Sequence, residues 1–193
     1  MKEMCNAGID GHQKQKEESR RMIEAALFTL MEETAFSKIT VTQIAERADV
    51  ARRTFYRLYQ SKEDVISRYF DKLCEAYQSS CDVLDSYDFR QIAADYFCFW
   101  YRHRDILLLL SKCGLDRMLY YEMSRVSAKV VRGRMGNRTL SEHNGLQYFA
   151  DYSAGGFINL LYGWIRSGMQ EEPEAYAEKV SEAVLKVIHD EKI

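Results

Sequence analysis

The stretch VTQIAERADVARRTFYRLYQSKEDV, residues 41–65, concentrates positive charge in a chain that has little of it overall. Arg52, Arg53, Arg57 and Lys62 fall within eleven residues that contain no acidic side chain, although the 193-residue chain has a formal net charge of -2. A generic basic coat for nucleic acid is therefore excluded, and any contact with DNA must come from this local patch.

Sequence signals around the patch indicate two short helices joined by a turn. Thr40 followed three positions later by Gln43 is the pattern of a capping box, and it opens a helix with Ile44 on its inner face. Asp49 interrupts this helix after about two turns. A second short helix is predicted over 51–59.

Longer helices are predicted before and after this pair. Apolar residues recur in pairs every four positions over 17–33, which is the pattern of one amphipathic helix. Ser61 followed by Asp64 repeats the capping signal and opens a long helix that ends near Ser80. Two short helices braced by two longer ones are typical of a helix-turn-helix unit.

The second short helix has two different faces. Phe55 and Tyr59 are predicted to point inward, so the outer face carries Arg52, Arg53, Tyr56 and Arg57. A recognition helix needs long donors of this kind to reach base edges in the major groove, with neighbouring cations on phosphates. The positive charge of this helix would by itself fit a solvated surface equally well. Its location on a helix directly after a capped helix and turn favours a role in DNA binding.

The segment around these residues resembles the DNA-binding domain of the tetracycline-repressor (TetR/AcrR) family. The resemblance covers about the first 75 residues and is carried by the core T-V-x-x-I-A-x-x-A-x-V from Thr40, the triplet T-F-Y from Thr54 and the S-K-E-D start of the fourth helix. It implies base contacts from Arg52, Arg53 and Thr54. Phosphate contacts are expected from Thr42, Tyr56, Arg57 and Lys62, although Thr42 is equally suited to serve only as a helix cap.

Three positions depart from the family pattern. Asp49 stands where glycine is usual, Ala51 where serine is frequent and Leu58 where histidine is common. Asp tolerates a left-handed turn better than most residues, so we expect the fold to survive. These departures keep open an alternative function, namely a helical protein-interaction module or co-activator whose helix-turn-helix no longer reads an operator.

The rest of the chain is predicted to be helical and rich in aromatic residues, with breaks near 102–105 and at Gly114. The resemblance implies that this part binds a small molecule, and pockets are mostly apolar with a few polar groups. The candidate pocket residues are Tyr96, Trp100, His103, Tyr120, Tyr121, Tyr152 and Asn159. A stripe of aromatic residues at helical spacing is more often part of a core, so a packing role stays the alternative.

Of two long helices predicted near the C-terminus, the first must be either central within the chain or partly buried against a second copy of it. Apolar residues surround almost the whole helix over 157–165, so something must cover it, and Pro173 is a natural first-turn residue of the last helix. The resemblance implies a homodimeric four-helix bundle. Its predicted interface residues are Gly156, Phe157, Leu160, Leu161, Trp164, Val180, Val184 and Val187.

Other function classes find little support. Five cysteines without a CxxC pair and four scattered histidines predict no metal site, no disulfide framework and no cofactor. No phosphate-binding loop, nucleophile elbow or other catalytic constellation is present, so we expect no enzyme and no catalytic residues. No signal peptide or membrane span is evident, which predicts a cytoplasmic protein.

The sequence thus predicts an all-α protein with an N-terminal three-helix helix-turn-helix DNA-binding domain, joined by a long helix to a C-terminal helical ligand-binding and dimerisation domain. The predicted boundaries are a flexible tail over 1–15, a DNA-binding domain over 16–61 and a regulatory domain over 62–193, with helix 62–80 as the connection. The resemblance implies a homodimeric repressor that binds a palindromic operator and responds to an unidentified small-molecule effector.

Overall fold

A computed structural model describes residues 2–81, 88–135 and 144–189. Over these ranges the chain forms nine α-helices and a short 3-10 turn at Phe36–Lys38, with no β-strand, which confirms the all-α prediction. The helices are α1 (Lys2–Glu33), α2 (Val41–Arg47), α3 (Arg52–Leu58), α4 (Lys62–Cys81), α5 (Phe89–Tyr101), α6 (Arg104–Lys112), α7 (Asp116–Met135), α8 (Asn144–Arg166) and α9 (Pro173–His189).

The chain divides into two compact units, Met1–Asp71 and Lys72–Ile193. The division falls within α4, whose first half packs with the helix-turn-helix. The sequence placed the boundary at the start of this helix, near Lys62. The boundaries predicted for the domains, including a flexible tail over 1–15, stay a prediction.

Helix α1 begins at Lys2 rather than near residue 17. The apolar stripe that predicts the helix starts only at Met22 and Ile23, whereas the preceding residues are largely polar. Lys, Glu and Gln are good helix formers, so a helix can continue through such sequence without an apolar face. Hydrophobic periodicity therefore locates the packed part of α1 and misses its start.

In the first unit, α1, α2 and α3 pack around one apolar core. Ile23 and Leu27 of α1, Ile44 of α2 and Phe55 of α3 are fully buried, and so is Val65 at the start of α4. Thr40 forms the predicted capping box: its hydroxyl accepts from the Gln43 N–H at 3.2 Å, and its own N–H donates to the Gln43 side chain at 2.8 Å. The two short helices are thus set by local signals and a shared core.

The turn between α2 and α3 has the geometry of a Schellman motif centred on Asp49. The Val50 N–H donates to the Ala45 carbonyl and the Asp49 N–H to the Glu46 carbonyl, at 2.9 and 3.2 Å. Asp49 has a φ of 50°, the left-handed conformation that glycine adopts most readily. The backbone turn expected of the family is therefore kept with an aspartate at its centre.

In the second unit α5 packs on α9, and α7 packs on α8. An aromatic stack joins three helices: the Trp164 ring lies 5.6 Å from Tyr101 and 4.6 Å from Tyr176, measured between centroids. The predicted breaks appear between α5 and α6 and at Gly114, which has a φ of 71°. The polar, glycine-bearing sequence over 132–145 predicts a loop, but α7 continues to Met135 and α8 begins at Asn144. Residues 136–143 lie outside the described part of the chain.

The residues predicted for the dimer interface differ in their burial within the second unit, and the interface itself stays a prediction. Leu161, Trp164 and Val180 are buried inside the unit and belong to its own core. Gly156 and Val187 are exposed, while Phe157, Leu160 and Val184 are half-buried. The sequence could not separate these positions, because apolar residues lie on nearly every side of this part of α8.

Candidate nucleic-acid interface

The outer face of α3 is accessible along its whole length. Arg52, Arg53 and Arg57 are exposed and Tyr56 is 53% exposed, whereas Phe55 is fully buried beneath them. Thr54 on α3 and Thr42 near the start of α2 are half-exposed. The predicted DNA-contacting side chains of α2 and α3 are therefore all at least partly accessible. Lys62, at the start of α4, is half-buried.

The arginines of the helix-turn-helix differ in their partners. Arg47, at the end of α2, donates two hydrogen bonds to the Glu33 carboxylate at 2.8 and 2.7 Å, and the pKa of Glu33 is lowered by this contact. In the described part of the chain, no carboxylate pairs with Arg52, Arg53 or Arg57. The positive charge of α3 is thus left uncompensated, as contact with phosphates and guanine edges requires.

Helix α3 is held on α1 by a buried hydrogen bond. The Tyr59 hydroxyl donates to the Glu24 carboxylate at 2.9 Å, and both side chains are buried. Burial raises the pKa of Tyr59 far above its usual value, and the charge of Glu24 adds to that shift. Tyr59 stands at the C-terminal end of α3, so this bond fixes the position of the recognition helix. Sequence analysis identified Tyr59 as a core residue but gave no signal for Glu24.

Lys62 lies at the start of α4 and is tied to the segment that precedes α2. Its ammonium donates to the carbonyls of Phe36 and Ile39 at 2.6 and 2.9 Å and lies 4.5 Å from the centroid of the Phe36 ring. These contacts join chain segments more than twenty residues apart, with sequence separations of 26 and 23.

Leu58, the position where the family often has histidine, is buried in the core of the first unit.

The seven candidate pocket residues differ widely in burial, and the predicted pocket stays a prediction. Tyr96 and Trp100 are buried and His103 is half-buried, all near the end of α5. Tyr121 and Tyr152 are 64% and 81% exposed. The remaining two, Tyr120 and Asn159, are also at the surface. Helical spacing shows which residues share one face of a helix, but it does not show whether that face is buried. The candidate residues therefore include both buried and exposed positions.

The cysteines that the structure describes give no sign of a reactive thiolate. Cys74 is buried, and the thiols of Cys98 and Cys113 are half-buried. Burial raises the pKa of Cys98 to about 11, assisted by the nearby Glu174 carboxylate, and burial also raises the pKa of Cys113.

Among the described residues no group of three His, Cys, Asp or Glu side chains is placed to hold a metal ion. Within the same residues no helix is long and apolar enough to cross a membrane.

A capped helix-turn-helix with uncompensated arginines on its outer face, followed by a separate helical unit, defines a DNA-binding transcriptional regulator. Two family matches agree with this class. Residues 23–69 match the family described as bacterial regulatory proteins, tetR family, and residues 87–186 match a transcriptional regulator C-terminal region. The second match alone covers more than half of the chain. The chain belongs to the tetR family of bacterial regulatory proteins.

Individual relatives are distant. The HTH-type dhaKLM operon transcriptional activator DhaS of Lactococcus lactis subsp. lactis (strain IL1403) is 24% identical over 105 residues, 54% of this chain. The alignment spans 48%, about half, of that relative's length.

Two solved structures share the fold. One is a dihydroxyacetone kinase operon activator DhaS, with a TM-score of 0.57 at 17% identity over 88% of this chain and 96% of that one. The other is the fatty acid degradation regulator FadR from Bacillus halodurans, with a TM-score of 0.53 at 13% identity over 84% and 92%.

Proposed function

We propose that this chain is a homodimeric regulator that acts in the cytoplasm, binds a palindromic operator and is controlled by a small-molecule effector. The observation that carries the proposal is the exposed, uncompensated set of three arginines on α3. Arg47, Arg90 and Arg125, by contrast, each face a carboxylate. A face that keeps its cations free of acids is suited to a polyanion.

The contacts divide into those that read bases and those that hold the backbone. Arg52 and Arg53 open α3, and the N-terminal residues of a recognition helix are the ones that reach base edges. Thr54 is the third proposed base contact. Thr42, Tyr56 and Arg57 are proposed to bind phosphates, which orient the protein without reading sequence. Lys62 is proposed chiefly as a brace, because its ammonium already donates to two carbonyls.

The exposed face of α8 supports pairing with a second copy. Gly156 and Gly163 are exposed, and a Cβ added at either would meet nothing within 4 Å in the chain itself. Glycine within a helix costs roughly 0.5–1 kcal/mol relative to alanine, and its use is explained if another helix packs closely there. Val187 of α9 is also exposed. We therefore place the dimer interface on the outer faces of α8 and α9.

A two-fold symmetric dimer presents two recognition helices to two half-sites. Such half-sites lie about one helical turn of DNA apart, roughly 34–36 Å, or a small multiple of this distance. The operator is therefore proposed to be a palindrome. Repression by occupying the operator is the simplest outcome. Activation is the second candidate, because relatives named DhaS are described as operon activators.

Selection from a random pool of double-stranded DNA at near-physiological salt tests the proposal. We expect enrichment of a palindrome bound at least about a thousandfold more tightly than scrambled DNA, the usual ratio for specific regulators. A folded dimer that enriches no sequence, with and without cell extract as a source of effector, would contradict the proposal and favour a protein-interaction module.

A further inference from the structure

Helix α3 is short, and its own buried side chains are apolar. It spans only seven residues, Arg52–Leu58, and the preceding residue, Ala51, makes no side-chain cap. Phe55 and Leu58 are the side chains of α3 that are buried in the core of the first unit. Apolar packing is not directional, so it defines the rotation and tilt of a short helix less precisely than a hydrogen bond does.

The bond between Tyr59 and Glu24 adds a directional contact at the end of α3. The two residues are 35 positions apart in the sequence, and the Tyr59 hydroxyl lies 2.9 Å from the Glu24 carboxylate oxygen. Tyr59 is 2% exposed and Glu24 is 8% exposed, so water has little access to this bond. A hydrogen bond is stronger in such surroundings than in water. It therefore ties the end of α3 to one point on α1.

Glu24 belongs to a row of charged side chains on α1. Glu17, Arg20 and Glu24 follow each other at spacings of three and four residues, so they share one face of the helix. Arg20 pairs with the Glu17 carboxylate at 3.4 Å. Both lie near enough to Tyr59 to shift its pKa, which the charge of Arg20 lowers and that of Glu17 raises. Because Arg20 has a carboxylate in Glu17, a change at Glu24 still leaves its guanidinium with an ionic partner.

We propose that Glu24 is a positioning residue for base reading: it is buried on α1, yet the operator preference of the protein depends on its bond to Tyr59. Tyr59 directly follows α3, whereas Arg52 and Arg53 open the same helix. A tilt of α3 about its end therefore displaces the base-reading guanidinium groups. Hydrogen bonds to base edges need their donors placed within about 0.5 Å. Contacts with phosphates carry no sequence information and are less affected. The inference rests on the proposed function and adds a residue that is remote from the DNA.

Three single variants of the full chain test the role of this bond. Tyr59→Phe removes only the hydroxyl, Glu24→Leu removes the acceptor, and Glu24→Gln keeps an acceptor oxygen in its place. We expect Tyr59→Phe and Glu24→Leu to lower the preference for operator over scrambled DNA at least about tenfold, the effect of losing a base contact. Affinity for scrambled DNA should change by less than about twofold. Glu24→Gln should stay within about threefold of wild type. Fluorescence anisotropy measures all of these affinities.

Tyr69→Phe is the matched control. Tyr69 lies on α4 and packs on α1 through Phe28, with ring centroids 5.1 Å apart, so the variant removes a tyrosine hydroxyl from a contact of α1 that does not involve α3. Its operator preference should equal that of wild type. An equal loss in Tyr69→Phe and Tyr59→Phe would overturn the inference.

The double variant Tyr59→Phe/Glu24→Leu separates positioning from stability. Each single change lowers the midpoint of thermal unfolding because a buried polar group loses a partner, whereas the double change makes both sides apolar and should recover much of the midpoint. We expect the operator preference to stay low, since the directional bond is still absent. An operator preference that returns together with the midpoint would show a purely structural role and overturn the inference.

Hydrogen exchange in the DNA-free chain gives a readout that needs no operator. The Phe55 and Tyr59 amides donate to carbonyls within or next to α3. Tyr59→Phe should speed their exchange at least about threefold and leave the amides of α2 unchanged. Unchanged exchange in α3, in a protein whose wild type selects an operator, would overturn the inference and leave the proposed function intact. Faster exchange in a protein that selects no operator would support positioning of α3 by Glu24 and contradict the proposed function.

Discussion

Arg52 and Arg53 differ from Arg47 in what surrounds their guanidinium groups. Arg47 is neutralised by Glu33, while the two α3 arginines are exposed at the N-terminal end of the recognition helix. We predict that Arg52→Ala or Arg53→Ala costs about 1–3 kcal/mol of operator binding and relaxes sequence preference. Tyr56→Phe should weaken binding to all sequences equally. Fluorescence anisotropy with operator and scrambled DNA measures both effects.

Arg90→Ala is the control for these arginines. It removes the same charge from the second unit, where Arg90 pairs with Glu178, and should leave operator binding unchanged. If Arg52→Ala, Arg53→Ala and Tyr56→Phe all lowered operator and scrambled binding by the same factor, the division into base-reading and phosphate-binding residues would be wrong.

Lys62 gives a case in which sequence and structure suggest different roles. Its two hydrogen bonds to carbonyls brace the start of α4 against the segment before α2. We predict that Lys62→Met lowers the free energy of unfolding by about 1–3 kcal/mol, because hydrogen bonds from a charged donor are lost and the carbonyls are left unpaired. Chemical denaturation measures this loss.

The salt dependence of DNA binding separates the two roles of Lys62. A brace leaves the slope of log affinity against log salt concentration unchanged, whereas the loss of a phosphate contact lowers it by about 0.9. Arg57→Met, a proposed phosphate contact without a partner carboxylate, is the matched comparison and should lower the slope. A reduced slope with unchanged stability in Lys62→Met would restore the role that the family resemblance implies.

The turn between α2 and α3 shows how one element tolerates an atypical residue. Asp49 adopts a left-handed conformation that costs an L-residue roughly 1–2 kcal/mol, although aspartate is among the better tolerated. We predict that Asp49→Gly raises the free energy of unfolding by about 0.5–1 kcal/mol without changing operator specificity. Ala48→Gly, one residue earlier in a right-handed helical conformation, should lower it. Destabilisation by Asp49→Gly would mean that the Asp49 side chain itself holds the turn.

The elements whose limits depend on local signals were predicted well. Thr40 with Gln43, the turn at Asp49, the break at Gly114 and the start of α9 at Pro173 all depend on residues within one helical turn of each other. Contacts between residues far apart in the chain could not be predicted from the sequence. The acceptors of Lys62 and the partner of Tyr59 lie 23 to 35 residues away, and no periodicity reports such a pair.

The inward face of α8 illustrates a second limit. Apolar residues lie on nearly all sides of this helix, so the sequence pattern predicts that the helix is covered. The pattern does not indicate which side packs on the rest of the chain and which side is left for a partner. In the structure Leu161 and Trp164 are buried within the unit, whereas Tyr152 and Gly156 are exposed, so the side that packs on the chain itself is now identified.

The proposed dimer interface of the whole molecule includes the outer face of α8. Because a Cβ at Gly156 or Gly163 has open space within the chain, we predict that the double change to leucine leaves the protomer folded and separates the dimer. Sedimentation velocity at micromolar concentration should show monomers, and circular dichroism should show unchanged helix content. Ala25→Leu adds bulk of a similar kind to an exposed position of α1, away from the proposed interface, and should stay dimeric. A double variant that remains dimeric would place the interface elsewhere.

The most direct test of the account is a titration of wild-type protein and the Arg52→Ala/Arg53→Ala double variant against the selected operator and scrambled DNA. The account predicts that wild type prefers the operator by at least about a thousandfold and that the double variant loses most of this preference while keeping salt-dependent binding. Equal affinity of wild type for both DNAs, or a preference that survives in the double variant, would contradict the assignment of α3 as the element that reads sequence.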